Sequence, residues 1–142
     1  MSELINAQFV GAILALGLGA IGSSIGCGLA GMTSHGVMAK VDEGHGLILG
    51  LSAMPASQTI YGFVLMILLQ GSTVQASTAF GIGLGAGLAF MTSAIYQGKA
   101  CSSAILGVSK KSSISGKVFL APGIVESFAL FALVGGIVLL QG

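Results

Sequence analysis

Apolar residues run in four long stretches along this chain of 142 residues, and short polar intervals separate the stretches. No charged side chain occurs from Leu4 to Ala39, and none occurs in the 55 residues from Gly44 to Gly98. A helix needs about 20 apolar residues to cross the hydrocarbon core of a bilayer, which is about 30 Å thick. The pattern therefore predicts an all-α membrane protein with four transmembrane helices, over Ile5–Met32, Leu47–Leu69, Ser77–Leu106 and Val118–Leu140.

The composition agrees with a lipid bilayer as the solvent. Charged residues make up 6% of the chain and hydrophobic ones 54%, which leaves too few charges to cover a water-facing surface. The net charge of +1 and the absence of Arg and Trp exclude a nucleic-acid partner, which would need a basic or stacking surface. The start Met-Ser-Glu has no basic segment, so we interpret the first apolar stretch as a retained span.

Lysines predict how the chain is oriented. They occur in both predicted loops that connect the helices of a hairpin, 33–46 and 107–117, whereas the turn 70–76 and both termini carry none. Because positive loops stay in the cytoplasm, we expect these two loops to be cytoplasmic and both termini to lie outside.

The two halves of the chain are similar to each other. When the sequence is shifted by about 70 residues, Gly22-Ser-Ser-Ile lies over Thr92-Ser-Ala-Ile and Lys40 lies over Lys110. In the second helix of each half, Gln58 lies over Glu126. The repeat predicts two duplicated hairpins with the same direction, residues 1–71 and residues 72–142, the second of which carries the carboxylate.

Small residues follow one another at one-turn spacing along the first and third predicted helices. They are Gly11, Ala15, Gly19, Gly22, Gly26 and Ala30 in the first helix, and in the third they form two interleaved rows, Gly81 with Gly85 and Gly83 with Gly87. Such rows let helices approach closely in lipid. Either they form an ordinary tight helix pair, or they line the crowded inside of a ring of many subunits. We favour the ring, because both hairpins devote a whole helix to small residues.

The glycine motifs of this sequence give no support for nucleotide binding. Gly17-Leu-Gly-Ala-Ile-Gly fits a dinucleotide fingerprint, but it lies inside an apolar helix and no strand precedes it. No G-x-x-x-x-G-K-[ST] sequence occurs. We therefore expect no enzyme activity from the chain by itself and no organic cofactor.

Glu126 is the one acidic residue within the predicted spans, and its position corresponds to the middle of the membrane. A charge there costs about 2.5–3.5 kcal/mol, so such residues are usually functional. No Lys or Arg lies at a matching depth, so the neutralising species must be a proton, a metal cation or another chain. The alternative is a permanently protonated glutamate with a structural role.

Polar side chains on the second and third helices predict a cation site around Glu126. Met54, Ser57, Gln58 and Tyr61 follow i, i+3, i+4, i+7 spacing and share one helical face. Pro55 has no N–H, so it loosens the helix at Met54 and frees the carbonyl of Leu51. With Gln97 of the third helix, these groups offer hard oxygen ligands for a monovalent cation.

The position of Gln97 conflicts with this cage in one respect. Counted from the outer turn, Gln97 lies about twenty residues deep, whereas Ser57 and Glu126 lie about twelve to fourteen deep, a difference of roughly 9 Å at helical rise. Either the third helix begins outside the hydrocarbon, or Gln97 approaches the cage from its cytoplasmic side.

Three segments resemble a known family. Met54-Pro-Ala-Ser-Gln-Thr-Ile-Tyr, Tyr96-Gln-Gly-Lys-Ala and Ile124-Val-Glu-Ser-Phe-Ala are similar to the membrane-rotor proteolipid, subunit K or c, of prokaryotic V/A-type rotary ATPases. In the sodium-carrying branch of that family, the matching positions surround the ion with a carboxylate, two amides, a hydroxyl and a backbone carbonyl, and a tyrosine holds the carboxylate. The resemblance thus implies that Glu126, Gln97, Gln58, Ser57 and the carbonyl of Met54 bind the ion and that Tyr61 orients Glu126.

The resemblance also implies a mechanism and partners. Copies would form a homo-oligomeric ring in the cell membrane. Each copy would carry an ion on Glu126, for which Na⁺ is favoured over H⁺, and the ring would turn while other subunits hydrolyse ATP. A stator subunit would supply an Arg, and central-stalk subunits would bind the cytoplasmic loops. One ion per four helices is expected, because Gln58 replaces the second carboxylate. Two alternatives stay open: a small four-helix transporter that uses Glu126 for cation exchange, and a structural fusion or pore-forming protein in which Glu126 is incidental.

Overall fold

A computed structural model describes residues 6–141. Within them the chain forms α1 (Ala7–Met38), α2 (His45–Ala53), α3 (Ser57–Gly71), α4 (Ala76–Lys110) and α5 (Leu120–Leu139), with short 3₁₀ turns at Met54–Ala56 and Ser112–Ile114. Four helical segments are long and apolar enough to cross a membrane, since α2 and α3 form a single segment, His45–Gly71. The predicted all-α class and the four spans are confirmed. The predicted start at Ile5 lies outside the described residues.

The two glycine-rich helices are longer than predicted. Helix α1 has 32 residues and ends at Met38, not at Met32, and α4 has 35 residues and ends at Lys110, not at Leu106. At about 1.5 Å per residue these helices are roughly 48 and 52 Å long, well beyond the hydrocarbon thickness. Parts of the predicted loops 33–46 and 107–117 are therefore helical.

Pro55 interrupts the second span as its chemistry requires. Helix α2 ends at Ala53, a 3₁₀ turn covers Met54–Ala56, and α3 begins at Ser57, whose backbone N–H donates to the carbonyl of Met54. On the far side of the turn, the backbone N–H of Thr59 donates to Ser23 Oγ of α1 at 3.1 Å. The interruption thus exposes backbone groups beside α1 and α4, and a serine of α1 satisfies one of them.

Helices α1 and α4 pack backbone against backbone through the predicted small residues. A Cβ atom at Gly83 would overlap the backbone of Gly11, and one at Gly98 would overlap the backbone of Gly26. In α4 only one of the two predicted rows does this, because Gly81 and Gly85 have open space where a Cβ would lie. The glycines that face the other helix thus bring α1 and α4 into backbone contact.

Buried apolar side chains of the helices form two clusters, one toward each end of the bundle. The first includes Leu65, Leu69 and Phe90, and the second includes Leu51 and Ile105, all fully buried. The polar residues Gln58 and Gln97 are also fully buried, on the same helices α3 and α4. The polar site therefore sits in the middle of an otherwise apolar bundle.

Candidate functional site

The carboxylate of Glu126 lies against neutral hydrogen-bond donors of two other helices. Tyr61 Oη of α3 donates to Glu126 Oε1 at 2.7 Å, and Gln97 Nε2 of α4 donates to Glu126 Oε2 at 3.2 Å. Two donors on one carboxylate suit its charged form, but neither donor brings a positive charge. The described contacts therefore leave the charge of Glu126 to be neutralised by a proton, a metal cation or another chain.

The amides of Gln58 on α3 and Gln97 on α4 extend the hydrogen-bond network that begins at this carboxylate. Gln58 Nε2 donates to Gln97 Oε1 at 2.9 Å and to Ser93 Oγ at 3.2 Å. Every buried side-chain nitrogen and oxygen atom of residues 6–141 has a hydrogen-bond partner. Because an unpaired polar group in a low-dielectric interior is costly, this complete pairing holds the side chains in fixed positions.

Three oxygen atoms lie close together at the kink of the second span, and one of them, the Met54 carbonyl, also accepts from the backbone N–H of Ser57. Ser57 Oγ lies 3.1 Å from the backbone oxygen of Met54 and 3.1 Å from Gln58 Oε1. A hydroxyl has one hydrogen to give, so it cannot satisfy both acceptors fully. Oxygen atoms with free lone pairs, gathered at one point, are the ligands that a hard cation such as Na⁺ binds.

Gln97 reaches Glu126 from the side of the loop 107–117. Its Nε2 atom also donates to the backbone oxygen of Pro122, one turn before Glu126 on α5, at 3.2 Å. Because Pro122 lies between Glu126 and the loop 107–117 along the chain, Gln97 approaches the carboxylate from the side expected to be cytoplasmic. Gln97 presents its nitrogen to the carboxylate, so its amide must rotate by half a turn before its oxygen can bind an ion there.

The structure thus brings all six predicted residues into one hydrogen-bonded network, and it adds one that the sequence analysis missed. Ser93 donates to the backbone oxygen of Val125 at 2.9 Å and accepts from Gln58. Two signals could have found it: Ser93 precedes Gln97 by one helical turn, and it corresponds to Ser23 in the duplicated hairpin. Both signals were weak, since serines inside membrane helices usually bond to their own helix.

Replacing Tyr61 with Phe tests whether the tyrosine holds the carboxylate. The change removes one O–H donor to a charged group, which is worth about 1.5 kcal/mol, and leaves the ring in place. We expect carbodiimide, which reacts with protonated carboxyl groups, to label Glu126 roughly tenfold faster in Tyr61→Phe at neutral pH. Mass spectrometry of the labelled chain measures this rate.

Tyr96→Phe is the matched control, because the chain has two tyrosines. Tyr96 is 59% exposed, and its ring stacks under Lys99 Nζ at 4.7 Å. The side chains that donate to the Glu126 carboxylate are those of Tyr61 and Gln97. We expect the labelling rate of this variant to equal that of the unaltered protein. Equal rates in both variants would show that the Tyr61 hydroxyl does not act on Glu126.

Comparison with known proteins gives a consistent result. The family model for the C subunit of ATP synthase matches the chain twice, over residues 10–69 and 80–139, which confirms the duplication; the boundary at residue 71 stays a prediction. The A-type ATP synthase subunit K of Methanocaldococcus jannaschii is 38% identical over 94% of this chain, which spans 61% of that relative's length. The V-type sodium ATPase subunit K of Enterococcus hirae is 29% identical over 91% of this chain and 89% of its own length. The resemblance found in the sequence is confirmed.

Proposed function

Because the chain belongs to the family of the ATP synthase C subunit, we propose that it is the ion-carrying rotor subunit of a prokaryotic V/A-type ATPase and that its ion is Na⁺. Members of this family are membrane subunits, so the chain is not an enzyme by itself. The observation that carries the proposal is the network around Glu126, in which one carboxylate meets Tyr61 and Gln97 beside oxygen atoms of the kinked span.

Sodium is favoured over the proton because the site has more oxygen ligands than protonation needs. A proton would require the carboxylate alone, whereas Ser57 Oγ, Gln58 Oε1 and the Met54 carbonyl lie together at the kink. A relative at 29% identity is named as a subunit of a sodium ATPase, which agrees with this choice. Bound Na⁺ would cancel the charge of Glu126 and make its passage through lipid inexpensive.

In the proposed cycle, each chain carries one ion between two half-channels. The ion binds to Glu126, the amide oxygens and the oxygens of the kink, while Tyr61 keeps the carboxylate in place. An Arg of a stator subunit would then compete for Glu126 and release the ion on one side. The duplicated position, Gln58, has no charge, so four helices carry one ion.

A ring of copies would give these helices their environment. Every helix of the bundle exposes large apolar side chains. Among them are Phe63 of α3, which is 49% exposed, and Phe131 of α5, which is 73% exposed. Such side chains suit contact with lipid or with a neighbouring copy. We propose that the glycine-rich helices α1 and α4 line the inside of the ring. The loops near Lys40 and Lys110 would face the cytoplasm of the prokaryotic cell and bind central-stalk subunits, and both termini would face outside.

Sodium protection of Glu126 tests the proposed ion. In the purified ring, we expect carbodiimide labelling of Glu126 to slow as Na⁺ is raised, because bound Na⁺ displaces the proton that the reagent needs. Mass spectrometry measures the labelled fraction at constant ionic strength.

Potassium at equal concentration is the control, since a site built for the smaller ion should bind it weakly. The protection should weaken as the pH falls, because protons compete with Na⁺ for one carboxylate. Labelling that ignores Na⁺ at every concentration and slows only at raised pH would instead identify H⁺ as the ion. A native mass corresponding to a dimer, not to a large ring, would contradict the rotor and favour a self-contained transporter.

A further inference from the structure

Ser93 of α4 lies at the centre of the buried network, with 6% of its surface exposed. Its Oγ donates to the backbone oxygen of Val125 at 2.9 Å, and it accepts from Gln58 Nε2 at 3.2 Å. A serine hydroxyl has one hydrogen. The carbonyl of Val125 can only accept, so it occupies that hydrogen. Toward Gln58, Ser93 Oγ therefore presents only lone pairs, so it can accept a hydrogen bond but not donate one.

An amide can turn either its oxygen or its nitrogen toward a given neighbour, and here the neighbours permit one orientation. Both hydrogens of Gln58 Nε2 are used, one on Ser93 Oγ and one on Gln97 Oε1. On its other side, Gln58 Oε1 lies 3.1 Å from Ser57 Oγ, among the oxygens of the kink. The reversed amide would set its oxygen against the lone pairs of Ser93 and its NH₂ group among the oxygens where a cation would bind.

We propose that Ser93 is a positioning residue that fixes the amide orientation of Gln58, so that the oxygen of Gln58 faces the transported cation. The inference rests on the proposed function, since it assigns Ser93 a part in cation binding at that site. Gln97 alone cannot fix the amide orientation of Gln58. When its amide rotates to turn its oxygen toward the ion, its NH₂ group takes the place of the oxygen that accepted from Gln58 and favours the reversed Gln58 amide. Ser93 is then the acceptor that holds the Gln58 nitrogen.

The proposal separates cation binding from protonation. A reversed Gln58 amide would present N–H hydrogens to Na⁺ and weaken its binding. Protonation of Glu126 needs no ligand from Gln58, and Ser93 makes no hydrogen bond to Glu126 itself. Loss of the Ser93 hydroxyl should therefore change Na⁺ affinity without changing the reactivity of Glu126 in sodium-free buffer.

The test compares Ser93→Thr with Ser93→Val in the purified ring. The two new side chains have the same shape and differ in the hydroxyl, so any effect of packing is common to both. We measure carbodiimide labelling of Glu126 against Na⁺ concentration. The concentration for half-protection should rise about tenfold in Ser93→Val relative to Ser93→Thr, which corresponds to about 1.4 kcal/mol. The labelling rates without Na⁺ should agree within about twofold.

A serine next to the carboxylate supplies the control. Ser127 Oγ donates to the backbone oxygen of Ile124 in its own helix at 2.7 Å, so Ser127→Ala should leave half-protection unchanged. Equal half-protection in the Thr and Val variants would overturn the inference. So would a parallel change in the sodium-free rate, or a ring that assembles with Thr but not with Val, because each would give the hydroxyl a structural role. If the unaltered ring shows no Na⁺ protection at all, the proposed function fails instead.

Discussion

Glu126→Gln should abolish ion transport coupled to ATP hydrolysis while leaving the ring assembled. The amide keeps the size of the carboxyl group, so the packing of α5 is preserved. Tyr61 and Gln97 donate to different carboxylate oxygens, and because the amide has a single acceptor oxygen, one of these two hydrogen bonds is lost. It carries no negative charge, however, so it can neither neutralise a bound Na⁺ nor release one to a stator Arg. Transport into vesicles, measured with a sodium-sensitive dye, should fall to background.

Assembly is the readout that separates a transport role from a structural one. Removal of a charge from the middle of the membrane stabilises the chain by up to about 3 kcal/mol, which outweighs the loss of one hydrogen bond, worth about 1.5 kcal/mol. We therefore expect the Gln variant to give the same ring mass in native mass spectrometry as the unaltered protein. A variant that fails to assemble would show that the carboxylate is structural, the alternative that the sequence left open.

Glu126→Asp gives a graded companion to this experiment. The charge stays, but the shorter side chain withdraws the carboxylate by about one methylene group from the Tyr61 hydroxyl, which it meets at 2.7 Å. We expect carbodiimide still to label position 126 and Na⁺ to protect it at higher concentrations. This result would show that charge alone is insufficient and that the distance to Tyr61 contributes to affinity.

The sequence could predict the ligand types because each follows from local chemistry. The spacing of Ser57, Gln58 and Tyr61 fixes their common face on one helix, and Pro55 requires a break beside them. Both features are present: the chain forms a 3₁₀ turn at Met54–Ala56, and the face meets Glu126 through Tyr61. Information carried within one helix was therefore sufficient for half of the site.

Contacts between helices were harder to predict. Counting residues from the ends of the spans placed Gln97 too far from Glu126, since the count assumes parallel helices and ignores side-chain reach. The structure nevertheless joins the two side chains at 3.2 Å, and the same Gln97 nitrogen also donates to the backbone oxygen of Pro122 on α5. The amide orientation of Gln97 and the participation of Ser93 likewise depend on which partners surround them, and no spacing rule contains that information.

Gly83→Ala should cause the largest loss of stability, because Gly83 lies where α1 and α4 pack against each other. A Cβ at Gly83 would overlap the backbone of Gly11, and because backbone atoms have no rotamers, the two helices must move apart. Overpacking of this kind costs about 3 kcal/mol. We expect a marked fall in the temperature at which the detergent-solubilised ring loses its native size on gel filtration.

Gly85→Ala is the matched control, two residues further along the same helix. The space at Gly85 is open, and Ala favours helix over Gly by up to about 1 kcal/mol, so its melting temperature should stay the same or rise. If Gly→Ala lowers the melting temperature at position 83 but not at position 85, close backbone contact is identified as the cause. Equal melting temperatures would mean that α1 and α4 can separate without cost, and that the glycines of this row do not determine the approach of the two helices.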